Sequence, residues 1–227
     1  MIFYVGDLHG VITDFASIDH AAQRAGAKHI VQVGDLGLGF AGDNCRITKY
    51  FQKRSRQGKL TIPWITCGGN HDNYNLWNAK AEKQGNADLI ELAPGIHWAA
   101  RGALIDLDGI SHLFCGGAES TDKHNRTDGK NWWKEETPNY AEFSMFAQAM
   151  EEGKPQVVVT HDVPLRVNVF RVGRESQPTP RNLESALKLS GHTPAKWFYG
   201  HHHITDIHEI EGTTFACCGL GGEYQRG

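Results

Sequence analysis

The sequence predicts an α/β protein in which two mixed sheets pack together and are flanked by helices. Several short apolar runs are continuous rather than alternating, which is typical of strands covered on both faces. Helical periodicity lies between the early strands, whereas the late strands are joined by hairpin signals. The predicted order therefore begins β-α-β-α-β and ends in hairpins, which favours a layered mixed-sheet architecture.

Strands are predicted wherever the chain has a short run rich in β-branched, aliphatic or aromatic residues. These runs cover residues 2–6, 29–34, 62–67, 103–107, 111–115, 157–160, 196–199, 204–210 and 213–217. Asp108-Gly109 is a strong hairpin signal between two of them. Glu211-Gly212 is a weaker signal of the same kind between the last two.

Two helices are predicted from their apolar faces and their ends. The first ends at Gly26, and its face is formed by Phe15, Ile18, Ala22 and Ala25. The second is predicted to begin with Thr137 as N-cap and Pro138 in the first turn, and to end at Gly153. Its apolar stripe is formed by Phe143, Phe146, Ala147 and Met150.

Length and charge exclude several classes of protein. The chain has 227 residues and a net charge of −3, and we expect one domain over residues 1–227. It has neither a basic surface signature nor an apolar run of roughly 20 residues. The first residues read as a strand and not as a signal peptide. The five cysteines form no C-x-x-C pair, which argues against disulfides and a thiolate metal site and favours a cytoplasmic protein.

Histidine is abundant, with 13 residues, and the placement of five of them is informative. Predicted strands are followed by oxygen or imidazole side chains of the types that bind metals. These strand-end residues are Asp7, His9, Asp35, Asn70, His71, Asp72, His161, His201, His202 and His203. The other histidines fit no motif, and we expect them to be structural or exposed.

The spacing within two of these motifs predicts convergent ligands. In an extended segment, residues i and i+2 point the same way, so Asp7 and His9 face one side. His201 and His203 do the same, while His202 points away. A lone aspartate after a strand is more often a turn or cap residue. Five such motifs in order instead predict a metal centre, and the number of donors suits two ions better than one tetrahedral zinc.

The motifs D-x-H, G-D, G-N-H-D, a strand-end histidine and G-H-x-H resemble those of the calcineurin-like metallophosphoesterases. The resemblance runs from Asp7 to His203 and implies a four-layer α/β/β/α sandwich. It implies that Asp7, His9 and His203 hold one metal. It also implies that Asn70, His161 and His201 hold a second metal. Asp35 would bridge the two metals.

The resemblance also implies a reaction. His71 would face the substrate and assist the leaving group, and Asp72 would orient His71. Two divalent ions about 3.5–4 Å apart would generate a bridging hydroxide for in-line hydrolysis of a phosphate mono- or diester. The oxygen and nitrogen donors favour manganese over iron or zinc.

Departures from the family pattern bear on the substrate. The protein phosphatases of this superfamily continue the second motif as G-D-x-x-D-R-G, whereas Leu36-Gly37-Leu38-Gly39 follows here. A diester or nucleotide substrate is therefore favoured over a serine/threonine-type protein phosphatase. A metal-dependent nuclease and a non-catalytic scaffold of the same fold also stay open. The net charge disfavours duplex nucleic acid but leaves a short single strand open, and no membrane partner is expected.

Two polar segments are predicted to lie over the strand ends. In residues 118–136, Arg126 could grip a phosphate, and Trp132 or Trp133 could stack on a ring of the substrate. The alternative is that both tryptophans pack this segment onto the body of the protein. In residues 164–181, we expect a solvated basic loop carrying Arg166, Arg171, Arg174 and Arg181.

Overall fold

The computed structural model describes residues 1–40, 46–169, 173–222 and 224–226. The helices within these ranges are α1 (Ile12–Arg24), α2 (Arg46–Arg56), α3 (Tyr74–Lys83), α4 (Tyr140–Gly153) and α5 (Pro178–Ser190). The strands are β1 (Ile2–Val5), β2 (His29–Gln32), β3 (Trp64–Thr66), β4 (Leu89–Ala93), β5 (Ile96–Ala99), β6 (Leu104–Leu107), β7 (Ile110–Cys115), β8 (Val157–Thr160), β9 (Lys196–Tyr199), β10 (Asp206–Ile210), β11 (Thr213–Cys217) and β12 (Tyr224–Arg226).

The strands form two mixed sheets. The first has the order β12-β1-β2-β3-β5-β4, and the second has the order β10-β11-β9-β8-β7-β6. The central pairs of each sheet are parallel, and the outermost strands pair antiparallel. Parallel neighbours bring their carboxyl ends to one edge, so each sheet presents the ends of several strands together.

Three apolar clusters separate four layers. One packs the first sheet against α1, α2 and α3 through residues such as Phe15 and Trp77. A second lies between the sheets, and a third packs the second sheet against α4 and α5 through Phe146 and Leu183. The predicted α/β/β/α sandwich of two mixed sheets is therefore confirmed.

The hairpin predictions are confirmed, but one helix start is wrong. Asp108-Gly109 joins β6 to β7, and Glu211-Gly212 joins β10 to β11, with positive φ at all four residues. Helix α4 begins at Tyr140 and not near Thr137. Asn139 caps it, because its side chain accepts from the Glu142 amide while the Glu142 carboxylate accepts from the Asn139 amide.

A polar contact links the sheets inside their shared apolar layer. The Tyr4 hydroxyl lies 2.7 Å from His112 Nε2, and His112 Nδ1 lies 2.8 Å from the Ile110 carbonyl oxygen. A neutral imidazole satisfies both contacts by donating from Nδ1 and accepting at Nε2. Burial lowers the pKa of His112 to about 4, so the neutral form persists at neutral pH.

The cysteines within the described ranges are buried free thiols, as predicted for Cys217 and Cys218. Cys45 lies outside the described residues. Within those residues, no helix is both long and apolar enough to cross a membrane. The cytoplasmic location and the single-domain boundaries stay predictions.

Candidate metal centre

The predicted ligands gather where the carboxyl ends of the two sheets meet. Strands β1, β2 and β3 are parallel neighbours in the first sheet, and β8 and β9 are parallel neighbours in the second. The residues that follow these strands are Asp7, His9, Asp35, Asn70, His161, His201 and His203. The packing of the sheets therefore brings donors from five separate chain segments to one place.

The first group of donors consists of Asp7, His9, Asp35 and His203. One ligand atom from each lies within 4.8 Å of the others. His203 Nε2 is 3.1 Å from Asp7 Oδ2 and 3.1 Å from His9 Nε2. The hydrogen bond to Asp7 raises the pKa of His203 against the effect of partial burial. This convergence of two carboxylates and two imidazoles fits a divalent cation.

The second group is formed by Asn70, His161 and His201. His161 Nε2 lies 3.1 Å from Asn70 Oδ1, and the rings of His161 and His201 are 5.0 Å apart. His161 Nδ1 lies 2.8 Å from the Val33 carbonyl, to which it donates when the ring is neutral. The Nε2 lone pair is then directed into the site, as in histidines that bind metals.

Asp35 connects the two groups. Its Oδ1 lies 3.3 Å from His161 Nε2, and its Oδ2 lies 3.8 Å from His9 Nε2. Burial opposes a charge on either His161 or Asp35. The Asp35 carboxylate nevertheless raises the pKa of His161 to about 10, and His161 lowers the pKa of Asp35. Each charge thus stabilises the other, and a cation that bound here would displace the proton and take over this role.

The backbone reaches this arrangement through left-handed residues and not through strand alternation. His9, Asp35, His201 and His203 have φ values of 45°, 57°, 65° and 55°. The expectation that D-x-H and H-x-H converge as extended segments is therefore wrong in its geometry. A non-glycine residue in this region costs on the order of 1–3 kcal/mol, and such costs concentrate at functional sites. His202 does not line the cavity beside these residues, and its Nε2 lies 3.0 Å from Asp162.

Two glycines leave room for the carboxylates. A Cβ at Gly69 would lie 2.2 Å from Asp35 Oδ1, and one at Gly200 would lie 2.3 Å from Asp7 Oδ1. The backbone could not approach the acidic ligands so closely with any side chain at these positions. The glycines in G-N-H-D and G-H-H-H are therefore part of the donor geometry.

Asp72 has a different role from the predicted one. Its carboxylate accepts hydrogen bonds from the amides of Gly37 and Gly69, both at 2.8 Å, and of Leu36 at 3.3 Å. These bonds tie the loop after β2 to the loop after β3. No contact among the described residues joins this carboxylate to the His71 imidazole. The structure corrects the prediction, because the backbone amides occupy the carboxylate of Asp72.

His71 lies beside the donor groups and at the wall of a cavity. Its amide donates to Asp35 Oδ1 at 2.7 Å, and its ring packs 4.7 Å from the His9 ring and 4.6 Å from the Phe40 ring. Burial lowers the pKa of His71 to about 4, and the charge of Arg126 acts in the same direction. The charge of Asp35 raises this pKa but is outweighed. The imidazole is therefore uncharged at neutral pH in the absence of other ligands.

Residues 118–136 fold over the metal centre. Arg126 Nη2 lies 2.9 Å from His71 Nε2, and Arg126 Nη1 lies 3.3 Å from the Asn70 carbonyl oxygen. A cavity of about 230 Å³ remains between this segment and the ligands. It is lined by Asp35, Asn70, His71, Thr121, Asp122, Arg126, His201 and His203. Arg126, which is predicted to contact a phosphate, thus lines this cavity, whereas the sequence does not single out Thr121 or Asp122.

The structure places both predicted substrate-contacting tryptophans outside the lining of this cavity. Trp133 is buried in the cluster beneath the first sheet, with its ring 5.9 Å from Phe40. Trp132 is half-buried, and its indole nitrogen donates to Glu136 at 3.0 Å. Neither lines the cavity. The burial of Trp133 supports the alternative, in which the rings pack this segment onto the body, while the substrate contacts of Trp132 and Trp133 stay predictions.

A buried chain of hydrogen bonds orients Asn70. Asn70 Nδ2 donates to the Ser120 hydroxyl at 3.2 Å, and that hydroxyl donates to Glu136 at 2.7 Å. The Ser120 amide also donates to Glu136, at 2.7 Å. With its NH₂ group held by Ser120, the amide of Asn70 turns its oxygen towards His161. The orientation of Asn70 therefore depends on the position of residues 118–136, which form the covering segment of the site.

The other polar segment packs behind the site and is not the solvated basic loop expected. Arg174 is buried and lies 3.3 Å from Asp162, which also lies 3.0 Å from His202 Nε2. Burial by itself raises the pKa of Asp162. The hydrogen bond from His202 and the charge of Arg174 outweigh burial and hold this pKa well below its ordinary value. Arg166 pairs with Glu184 at 3.1 Å.

Two further arginines belong to this segment. Arg181 is exposed, as expected, and Arg171 lies outside the described residues. Among the described residues of the segment, Arg174 is a buried cation and Arg166 is paired with Glu184. The part of it that the structure describes supplies no residue to the cavity.

Comparisons with known proteins identify the family of the chain. The model of the calcineurin-like phosphoesterase family matches residues 1–205. No curated protein matches the chain. Among solved structures, GAP50, the anchor in the inner membrane complex of Plasmodium, aligns with a TM-score of 0.57 at 15% identity. The alignment covers 97% of this chain and 71% of that one.

Two further structures share the fold. A candidate 5'-nucleotidase from Staphylococcus aureus aligns with a TM-score of 0.56 at 11% identity, over 97% of this chain and 48% of that one. Phosphopantetheinyl hydrolase from Mycobacterium tuberculosis aligns with a TM-score of 0.53 at 12% identity, over 97% of this chain and 89% of that one. These identities establish a common fold, and the family match establishes more. On that match, supported by the converging donors, the chain belongs to the calcineurin-like phosphoesterase family and is a phosphoric ester hydrolase.

Proposed function

We propose that the protein is a dinuclear metal-dependent phosphoesterase whose favoured substrate is a phosphate diester or a nucleotide. The observation that carries the proposal is the position of Asp35. Its two carboxylate oxygens face two separate groups of donors, one at His9 and one at His161. A carboxylate in this position suits a ligand shared by two cations.

The residues present fit two cations, each held by donors from both sheets. Asp7, His9 and His203 would hold one ion, Asn70, His161 and His201 would hold the other, and Asp35 would bridge them. When bound, such a pair supplies a nucleophile at neutral pH and stabilises charge on the phosphoryl group. The donors are carboxylate, amide and imidazole without thiolate, which supports manganese over iron or zinc.

Two further residues of the cavity, Arg126 and His71, would act on the substrate. Arg126 presents its guanidinium beside His71, where it can bind a phosphoryl oxygen by a charge-assisted hydrogen bond. His71 lies on the same side of the cavity and is assigned the donation of a proton or hydrogen bond to the departing oxygen. Phe40 packs 5.6 Å from the guanidinium carbon and restricts its movement.

Competing functions receive less support. An anchor protein shares the fold, so the fold alone does not select catalysis, but the intact donor set favours it over a scaffold. The G-D-x-x-D-R-G arginine of protein phosphatases has no counterpart after Asp35. The net charge of −3 does not favour a duplex nuclease.

The test measures metal content and hydrolysis together. Protein loaded with manganese, iron(II) or zinc is assayed on p-nitrophenyl phosphate, bis-p-nitrophenyl phosphate, cyclic nucleotides and short single-stranded DNA. We expect two ions per chain and hydrolysis of at least one diester or nucleotide. Asp35→Asn should lower both metal content and activity, because it weakens the shared ligand. Asp88→Asn removes an exposed carboxylate and serves as the matched control.

Two results would contradict the proposal. One is a fully loaded wild-type protein that hydrolyses none of these esters. The other is an Asp35→Asn variant that keeps both ions and the wild-type rate.

A further inference from the structure

An acidic side chain stands at the mouth of a site that should receive an anion. Asp122 lines the same cavity as His71 and Arg126. Its Oδ1 lies 2.7 Å from Arg126 Nη2. The Asp122 side chain is 54% exposed, whereas that of Arg126 is 7% exposed. The carboxylate therefore occupies the solvent side of the cation that would bind the phosphate.

The negative charge of Asp122 is maintained at neutral pH. Partial burial opposes ionisation, but the hydrogen bond and the charge of Arg126 lower the pKa of Asp122 below its ordinary value. A phosphoryl oxygen that approaches Arg126 Nη2 must share this donor with Asp122 or displace it. In either case the phosphate meets a fixed like charge at short range.

Arg126 has anchors other than Asp122. Arg126 Nη2 also lies 2.9 Å from His71 Nε2, and Arg126 Nη1 lies 3.3 Å from the Asn70 carbonyl oxygen. The ring of Phe40 packs against the guanidinium. Three contacts besides the ion pair with Asp122 therefore hold the guanidinium. The need to anchor Arg126 therefore does not by itself explain a negative charge at position 122.

We propose that Asp122 is a specificity-determining residue that disfavours dianionic phosphate monoesters relative to monoanionic diesters. A monoester carries about −1.5 to −2 charges at pH 7, whereas a diester carries only one. Each charge on the substrate is repelled by Asp122, so the monoester suffers more. Discrimination by repulsion of the unwanted ligand is a general route to specificity. This inference rests on the proposed function and names the substrate class of the same site.

The kinetic test compares Asp122→Asn with the wild type. The ratio of kcat/KM for p-nitrophenyl phosphate to that for bis-p-nitrophenyl phosphate is measured at pH 8 and low salt. We expect this ratio to rise about fivefold to tenfold in the variant, as expected for one unit charge a few ångströms away in a partly aqueous site. Added salt should raise the ratio of the wild type more than that of the variant.

Two further variants make the comparison sharper. Asp122→Glu retains the charge and should keep a ratio close to that of the wild type. Asp128→Asn makes the same charge change at an exposed position of the same segment that does not line the cavity. It should leave the ratio unchanged. An equal fall of both activities in Asp122→Asn would show that Asp122 only positions Arg126 and would overturn the inference.

A binding measurement decides the question without turnover. Titration calorimetry of the manganese-loaded proteins uses inorganic phosphate at pH 8, where it is mostly dianionic, and dimethyl phosphate, which is monoanionic. We expect Asp122→Asn to tighten phosphate binding about fivefold to tenfold more than dimethyl phosphate binding. An equal change for both anions overturns the inference. A wild type that binds both anions but hydrolyses no ester contradicts the proposed function alone.

Discussion

The two groups of metal donors differ in how they are enclosed. In the first group, the side chains of His9 and His203 are 25% and 45% exposed. In the second group, His161 is fully buried and Asn70 and His201 are nearly so. The second group also has outer supports, because Ser120 holds Asn70 and the Val33 carbonyl contacts His161. If two ions bind as proposed, this difference in exposure predicts that the second group retains its ion more firmly than the first.

The largest expected effect comes from removing one imidazole from each group. His161→Ala should lose the second ion and reduce activity to the background, because a buried donor without a substitute is removed. His203→Ala should keep both ions, since water can replace an exposed ligand. Metal analysis after dialysis against a weak chelator checks both variants. Equal metal loss from the two variants would show that enclosure does not distinguish the positions.

The next effect tests the support of the second group alone. Ser120→Ala removes the acceptor of the Asn70 NH₂ group, so the amide oxygen is no longer held towards His161. We expect the affinity for the second ion to fall about 10–100-fold, as is usual when an outer-shell partner is lost. Competition with a fluorescent chelator measures it.

The matched control for Ser120→Ala is Ser185→Ala, an exposed serine of α5 whose hydroxyl bonds only within its own helix. It should change neither metal position. If Ser120→Ala weakened the first ion as much as the second, the covering segment would support both groups, and the comparison would need revision.

A smaller effect concerns the frame that both groups share. Each predicted ion is held by both sheets, and Tyr4 bonds to His112 across the layer between them. The pKa of His112 is about 4 in the folded chain and ordinarily about 6.5. Below pH 6.5 the unfolded chain binds a proton that the folded chain does not bind until about pH 4. Stability from this group is therefore lost as pH falls through that window.

The measurement compares the wild type with His112→Gln, which cannot titrate. From pH 7 to pH 4.5, we expect the wild type to lose on the order of 2 kcal/mol more unfolding free energy than the variant. Urea titrations at several pH values check this difference. A difference that does not vary with pH would contradict the buried neutral state of His112.

Much of the frame was predictable because its signals are local. The hairpin at Asp108-Gly109 follows from a dipeptide that favours positive φ at both positions. Strands β4 and β5 were not predicted, although Pro94-Gly95 lies between them, and β4 contains a register shift between Glu91 and Ala93. The start of α4 was misplaced because Thr137-Pro138 precedes the stronger capping pair of Asn139 and Glu142.

The site divides in the same way. The donor types were predictable, since parallel strands bring their ends together and the residues follow directly after those strands. The residues that support these donors from distant parts of the sequence were not predictable. Glu136 reaches Asn70 through Ser120, and Arg174 reaches His202 through Asp162, across gaps in sequence that no local pattern reveals. The positive φ values at His9 and His203 likewise result from tertiary packing and not from residue type.

The smallest of these effects separates substrate binding from both donor groups. Arg126 lies beside His71 but holds no predicted ion, so Arg126→Ala should leave the metal content of both positions unchanged. The loss of one charge-assisted hydrogen bond to an exchangeable anion should raise KM for bis-p-nitrophenyl phosphate about tenfold. Arg126→Lys keeps the charge without the planar fork and should give an intermediate KM. Arg181→Ala, which removes an exposed arginine of the other polar segment, is the control and should match the wild type.

If Arg126→Ala instead lost the second ion, the covering segment would act through Asn70, whose carbonyl oxygen Arg126 contacts. The enclosure of the second position would then depend on the same residue that binds substrate.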